Sequence, residues 1–368
     1  MFLDILSSKS WDEISQQIQN ATEEDVRRVL SKNTLLHSDD FAVLISPAAQ
    51  PFLEEMAARS VQLTRKRFGN TIQIYAPLYL SNECQNICTY CGFSLTNKIP
   101  RKTLTPEEIL EEVKILKSRG IDHVLLVTGE AQKTVGVEYI GRAIDLIQPY
   151  FTNISIEVQP LEEDEYKFLI DKGLYSVLVY QETYHKENYK KFHTKGKKSN
   201  FEYRLDTPDR LGRAGIHKIG IGALIGLEDW RTDSFFTAMH LEYLEKKYWQ
   251  TKYSISFPRM RPHEGGEFEV FESSERDLLQ LIFAWRIFRE NIELSLSTRE
   301  RAHFRDHVVT LGITTMSAAS STEPGGYAAP DTHLEQFEID DARSVKEVEE
   351  MIRQKGLDPV FKDWMALV

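Results

Sequence analysis

At 368 residues the chain can form one large domain or two ordinary ones, with a sizeable core. Hydrophobic residues make up 41% and charged residues 27%, the mixture of a soluble globular protein. Lys and Arg number 45 against 56 Asp and Glu, and the resulting charge of −11 argues against nucleic-acid binding, which needs a basic face.

The N-terminus "MFLDILSSKSWDEISQQI" carries Asp4 where a signal peptide has positive charge, and no apolar run approaches the ~18 residues of a membrane span. Three cysteines cannot all pair and sit too close together to close a useful loop, so a reducing cytoplasm is the expected location and no membrane partner is expected. The basic patch "KFHTKGKK" (191–198) reads as solvated loop surface or a contact for something small.

In chain order, residues 1–68 read as a helical lead-in, with amphipathic segments such as "TEEDVRRVLS" and "PFLEEMAARSVQLTRKRFG". Eight strand-like runs follow, at 71–80, 123–129, 153–159, 176–182, 218–227, 253–259, 292–299 and 312–318, with helical patterns between them. Thr105, Pro106, Glu108 and Gly120 punctuate one helix, and Thr207, Pro208 and Gly215 another. Alternating strand and helix implies parallel strands joined by crossover helices, and eight such units fit an α/β fold of the closed (β/α)8 type. The expected barrel spans 69–320. The Gly/Pro loop "STEPGGYAAP" then opens a C-terminal extension over 321–368, with one helix and an aromatic end, packed on the barrel.

Chemistry in such a barrel sits at the C-terminal ends of the strands. Those ends carry Asn82 and Glu83; Thr128, Gly129 and Glu130; Glu157 and Gln159; Gln181, Glu182 and Thr183; Arg259 and Arg261; Thr298, Arg299 and Glu300; Ser317 and Ser320. Strand ends meet water and are polar in any protein, which accounts for part of this set. It does not account for "SNECQNICTYCGF", where Cys84, Cys88 and Cys91 make up the whole thiol content. Thiolates select zinc or an iron–sulfur cluster. Structural zinc asks for a fourth ligand, which only a distant residue such as His123 or His185 can provide. A [4Fe–4S] cluster on three cysteines keeps one iron open to a small molecule.

C-x3-C-x2-C at the end of a first barrel strand, with Tyr90 before the last cysteine, resembles the radical S-adenosylmethionine superfamily. The ordered series "FGNTIQIYAPLYLSNECQNICTYCGF", "VTGE", "VYQETYH", "TPDRLGRAGI", "GIGALIGL", "SFPRMRP", "LSTRE" and "EPGGY" resembles, almost end to end, the tyrosine lyases of thiamine biosynthesis, the 2-iminoacetate synthase family. The resemblance implies one [4Fe–4S] cluster on Cys84, Cys88 and Cys91 that binds S-adenosyl-L-methionine. Cleavage of that cofactor gives methionine and a 5′-deoxyadenosyl radical, which takes hydrogen from the amino group of L-tyrosine. The Cα–Cβ bond then breaks to p-cresol and 2-iminoacetate (dehydroglycine) for the thiazole ring.

It implies further that Tyr90 packs on the adenine, that Thr128, Gly129 and Glu130 receive the cofactor's amino group, and that Arg204 grips its carboxylate. Arg299, Arg259 and Arg261 are candidate clamps for the tyrosine carboxylate, Arg299 first because the next helix N-terminus favours an anion there. Glu157, Gln159, Gln181 and Glu182 are candidates to position the amine or the cofactor ribose. Arg210 and Arg213 read as packing or surface residues. The expected partners are thiazole synthase, which receives the product, and a reducing electron donor of flavodoxin or ferredoxin type.

Rival tyrosine enzymes share the motif. The lyase that matures [FeFe]-hydrogenase carries a second cluster on further C-terminal cysteines, which this chain lacks. Deazaflavin-cofactor synthases also use tyrosine. A metal-held scaffold with no turnover, a protein of a different class, would need the same thiols.

Overall fold

A computed structural model describes residues 1–263, 270–330 and 334–362. Eight parallel strands form within them: β1 (Thr71–Ser81), β2 (His123–Thr128), β3 (Asn153–Glu157), β4 (Leu174–Leu178), β5 (Lys218–Ile221), β6 (Lys252–Ser256), β7 (Glu293–Leu296) and β8 (Thr315–Ser317). Each pairs with the next, and β8 returns to β1 with Gln73 opposite Thr315 and Tyr75 opposite Ser317. The ring is therefore closed, and all eight runs expected from the sequence lie in it.

Side chains alternate along each strand. Val124, Leu126, Ile154, Ile156, Ile219, Ile255, Leu294 and Met316 are almost wholly buried in one continuous apolar core, which also takes in the surrounding helices. The alternate positions line the inside of the ring.

Local chemistry sets the helix ends. Thr105 Oγ1 accepts from the Glu108 backbone N–H while Glu108 Oε2 accepts from that of Thr105, so Pro106–Ser118 begins as expected. Gly120 takes φ +84°, the left-handed conformation that ends it. In the second punctuated segment Thr207 is the first helical residue, not the cap. The preceding helix Phe201–Leu205 runs into it through Asp206, so the Thr207 hydroxyl donates to the Tyr203 carbonyl instead.

The N-terminal helices Phe2–Ser7, Trp11–Gln19, Glu23–Leu30, Ser38–Leu44 and Leu53–Phe68 lie against the ring of helices. Phe41 packs on Trp285 (ring centroids 4.7 Å apart) and Trp11 stacks on His185 at 4.4 Å. Near the other end, helix Val345–Gln354 leads to a short strand, Asp358–Val360, that pairs with the start of β1. Phe361 of the expected aromatic end is described; Trp364 lies outside the described residues. Among the described residues no helix is long and apolar enough to cross a membrane.

Candidate active site

Beyond β1 the chain enters a loop, residues 82–103, that carries the three cysteines to the C-terminal mouth of the barrel. Arg101 organises this loop: Nη1 donates to the Asn82 and Phe93 carbonyls (2.7 and 2.9 Å), and Nη2 to those of Ser94 and Asn97 (2.7 and 3.3 Å). A short antiparallel ladder pairs Ile87–Cys88 with His193–Lys195. From the C-terminal segment, Gln336 accepts the Gly92 N–H through its backbone carbonyl and the Tyr79 hydroxyl through its side chain (3.1 and 2.7 Å). Its amide nitrogen stands 3.7 Å from Cys91 Sγ. Gly129 is required by contact: a Cβ there would lie 2.2 Å from the Glu83 carbonyl oxygen.

Cys84, Cys88 and Cys91 line one wall of a cavity at this mouth. Burial pushes all three thiols up, Cys84 to about 11. Any metal they hold must therefore displace their protons. Among the described residues no three His, Cys, Asp or Glu side chains are gathered to hold a single metal ion. His123 hydrogen-bonds Ser155 inside the barrel, and His185 meets Glu228 beneath Trp11; neither lines the cysteine wall.

Beside the thiols the charges interlock. Arg204 Nη1 donates to Glu130 Oε1 at 2.9 Å, Nη2 to Glu182 Oε1 at 3.4 Å, and Nε to the Tyr180 carbonyl at 2.7 Å. Lys198 Nζ meets the same Glu182 oxygen at 2.7 Å and lies 5.6 Å from the Tyr90 ring centroid. Asn86 donates to the second oxygen of Glu130 at 2.7 Å. Burial alone raises the Glu130 and Glu182 pKa values, but the Arg204 and Lys198 charges outweigh it and hold both below the ordinary range. Glu182 has φ +71°, a conformation uncommon outside glycine and one that clusters at functional sites.

Glu157 behaves differently. It lines the cavity without a hydrogen bond or ion pair to any described residue, and burial pushes its carboxyl up to about 7, with Glu182 adding to the shift and Arg299 opposing it.

Tyr90 is oriented by His193. Burial holds that imidazole neutral, and its Nδ1 donates to the Tyr189 carbonyl (2.8 Å), leaving Nε2 to accept the Tyr90 hydroxyl at 2.7 Å. His193 and Lys198 both come from the segment that the sequence pattern assigns to solvated surface or a small-molecule contact. Lys191, Lys195 and Lys197 are indeed exposed, but His193 is fully buried and Lys198 is drawn inward by Glu182. Sequence reasoning also passes over Arg101, Asn86 and Gln336. Only Asn86, inside the cysteine motif, stands where a search could find it.

Of the residues singled out from the sequence, the structure brings Tyr90, Thr128, Gly129, Glu130, Glu157, Glu182, Arg204, Arg261 and Arg299 to the cavity with the cysteines. Arg259, Gln159 and Gln181 are not on its wall. Arg259 turns to Glu300, bonding both carboxylate oxygens and the Ser273 carbonyl. The Gln159 amide donates to the Val135 carbonyl at 2.8 Å. Gln181 is buried outside the cavity lining.

The three cavity arginines also differ. Arg204 is paired to two carboxylates and Arg261 to Asp340 (3.1 Å), whereas Arg299 pairs with no carboxylate among the described residues. Its guanidinium lies 3.5 Å from the Phe337 ring centroid and donates to the Arg259 carbonyl. Thr128 Oγ1, Ser320 Oγ and Arg261 Nε, also on this wall, are buried with no hydrogen-bond partner among the described residues. Arg210 bonds backbone carbonyls and Arg213 pairs with Glu163 at the surface.

The chain matches the family model of the radical SAM superfamily over residues 78–237, and that of the Biotin and Thiamin Synthesis associated domain over 256–358. It is 50% identical over 364 residues to the 2-iminoacetate synthases of Escherichia coli (strain K12) and Salmonella typhimurium (strain LT2), covering 99% of this chain and 96% of each relative. Among solved structures it is similar to HydG, a maturase of the [FeFe]-hydrogenase, with a TM-score of 0.90 and 31% identity over 95% of this chain and 80% of that one. It shares its fold with methylornithine synthase (TM-score 0.74, 21% identity, 91% of this chain and 96% of that one).

Proposed function

This chain belongs to the 2-iminoacetate synthase family of radical S-adenosylmethionine enzymes, and on that premise we propose how its own residues divide the work. The reaction is the cleavage of the Cα–Cβ bond of L-tyrosine to 2-iminoacetate and p-cresol, in the synthesis of the thiamine thiazole. An iron–sulfur cluster and S-adenosylmethionine belong to this family's chemistry. When bound, they supply the one-electron chemistry that removes a hydrogen atom from the substrate.

Cys84, Cys88 and Cys91 hold one [4Fe–4S] cluster; three soft donors on one cavity wall, with unpartnered polar atoms around it, fit that group and a small ligand beside it. Thr128, Gly129 and Glu130 receive the cofactor's amino group. Tyr90, fixed by His193, offers the adenine a platform. Arg204 meets the cofactor carboxylate while Glu130 and Glu182 hold its guanidinium in place.

Arg299 clamps the tyrosine carboxylate, and this assignment rests on one observation above the others. It is the cavity arginine that forms no salt bridge with a described carboxylate, so an incoming carboxylate has no ion pair to displace there. Glu157 faces the same space and accepts a hydrogen bond from the substrate's amine. The walls Tyr79, Tyr180 and Phe257 exclude water from the substrate once it is bound.

Residues 1–68, 69–320 and 321–368 act as helical lead-in, catalytic barrel and an extension packed on the barrel. The enzyme works in the cytoplasm, draws its electron from a flavodoxin- or ferredoxin-type donor and hands its product to thiazole synthase. The 368 residues contain no cysteine after Cys91 of the kind that holds the second cluster in the hydrogenase-maturation lyase.

The test is an anaerobic turnover with reconstituted cluster, S-adenosylmethionine, a strong reductant and tyrosine, followed by chromatography. The expected result is 5′-deoxyadenosine and p-cresol together. Deoxyadenosine without p-cresol would point to another substrate, and neither product from an intact, reducible cluster would overturn the reading.

A further inference from the structure

The last cysteine of the motif and the glycine after it are met by Gln336, a residue 245 positions further along the chain than Cys91. The backbone of Gln336 is pinned on both sides. Its N–H donates to the Thr322 carbonyl at 3.0 Å, and its carbonyl accepts the Gly92 N–H at 3.1 Å. The next carbonyl, that of Phe337, accepts the Thr322 hydroxyl at 2.9 Å. The fit against the cysteine loop is close. A Cβ on Gly92 would lie 2.5 Å from the Gln336 carbonyl oxygen and 2.9 Å from that of Glu335, so only glycine after Cys91 lets the two segments come together.

This pinned backbone aims the side chain at the ligand wall. Gln336 Oε1 accepts the Tyr79 hydroxyl at 2.7 Å, and Nε2 stands 3.7 Å from Cys91 Sγ, within reach of an N–H···S hydrogen bond. Chemistry decides which way the amide faces. A metal-bound thiolate only accepts, so the amide nitrogen must turn to it, and the oxygen is then left for the Tyr79 hydroxyl, which donates. Backbone N–H groups reach the thiols too, that of Phe93 at Cys91 and those of Asn86 and Glu130 at Cys84. Those come with the loop. Gln336 is a side-chain donor, and one substitution removes it.

We propose that Gln336 tunes the cluster held by Cys84, Cys88 and Cys91, raising its reduction potential through the hydrogen bond to Cys91 Sγ. This rests on the reading above that the three thiolates hold an iron–sulfur cluster. Reduction adds one electron, supplied by the external donor, and makes or breaks no bond, so the sulfurs carry more negative charge in the reduced state. A donor aimed at one sulfur stabilises that state more than the oxidised one. Hydrogen bonds to the sulfurs are among the features that set such potentials. The consequence is a cluster that a given donor reduces more completely. Gln336 acts on it through a ligand, as a partner in the surrounding shell of a metal site does.

The test is a redox titration of the reconstituted full chain, without tyrosine or S-adenosylmethionine, following the reduced cluster by electron paramagnetic resonance. Gln336→Leu removes the donor and keeps the backbone contacts. Its iron and sulfide per chain should equal wild type, and its midpoint potential should move to a more negative value. Tyr79→Phe releases the amide oxygen but not the nitrogen, so its midpoint should stay with wild type. An unmoved midpoint in Gln336→Leu would overturn the proposal. An equal shift in Tyr79→Phe would also overturn it, because loosening of the contact and not loss of the donor would then be the cause. A second measurement needs no variant: wild-type protein carrying the heavy nitrogen isotope in its glutamine side chains should show that nitrogen coupled to the reduced cluster in pulsed resonance spectra. Absence of the coupling overturns the proposal even if the leucine variant assembles no cluster. Neither measurement uses turnover, so failure to make p-cresol would count against the lyase reading alone. A wild-type chain that assembles no cluster would overturn the ligand reading and this inference with it.

Discussion

Between Asn82 and Thr103 the cysteine loop buries a single large apolar side chain completely, Phe93, and is fixed by hydrogen bonds, four of them from the one guanidinium of Arg101. The helical shell is held the other way. Helices Leu53–Phe68 and Glu275–Phe288 join the core through side chains such as Met56, Trp285 and Phe288, with Phe41 packed on the last two. Apolar packing is distributed, so a lost contact costs stability but seldom the local shape. A hydrogen-bonded loop depends on a few side chains, and losing one frees backbone groups that hold the ligands in position. Damage to the loop should therefore appear as lost metal, and damage to the shell as lost stability.

The largest effect expected is from Cys88→Ala: iron and sulfide per chain after reconstitution fall to background while the unfolding midpoint of the apo protein barely moves. Iron at the wild-type level would remove Cys88 as a ligand. The contrast becomes sharper with a pair of variants. Trp285→Ala should destabilise the apo protein by about 3–5 kcal/mol in chemical denaturation and leave iron per folded chain unchanged. Arg101→Ala should do the reverse, lowering iron several-fold with a smaller stability loss; equal behaviour of the two would dissolve the distinction drawn between loop and shell.

Arg299→Leu belongs to neither class. It should raise the KM for tyrosine by about tenfold or more while cofactor cleavage to 5′-deoxyadenosine continues. Unchanged tyrosine affinity by calorimetry would place the clamp elsewhere.

Glu157 gives a milder, pH-dependent effect. Its carboxyl is raised by burial to about 7, so the folded protein holds a proton that the unfolded chain releases in the ordinary carboxylate range. The stabilisation is complete below that range and is lost as pH rises towards about 7, so the unfolding midpoint of the apo protein should fall across this window. Glu157→Gln should flatten that part of the curve, and an unaltered slope would show that another group titrates there. Smallest of all, Thr105→Ala removes a helix cap in the shell and should cost about 1 kcal/mol by denaturant titration with no change in iron.

The same division explains what could be read from the sequence. The strands announce themselves because each carries buried apolar residues at alternate positions, and Thr105, Pro106 and Gly120 are local signals for a local event. The cysteine spacing is legible for the same reason. Lys198, His193 and Gln336 are not, because they reach the site across 100 to 250 residues of chain through ladder pairing and backbone contacts that leave no periodic trace. Arg259 shows the converse. Its strand-end position makes it a fair candidate, but a neighbouring carboxylate, Glu300, turns it away, and sequence spacing does not reveal which arginine has a partner. The serines inside the ring are visible as alternation in "YSISF" and "IELSLS", yet from sequence they read only as strand pattern.

Gln336 has a consequence for the order of events during synthesis. It accepts hydrogen bonds from Tyr79 and Gly92, residues made some 250 positions earlier, and β1 itself is closed only by β8 at Thr315–Ser317. While the chain is still on the ribosome, a cysteine loop without these partners has its first strand exposed and its hydrogen bonds unmet. Iron delivered at that stage would meet three thiols not yet held in place. The loop gains its full set of partners only once residue 336 has joined it, so a chain truncated before residue 315 should retain less iron after reconstitution than the full chain.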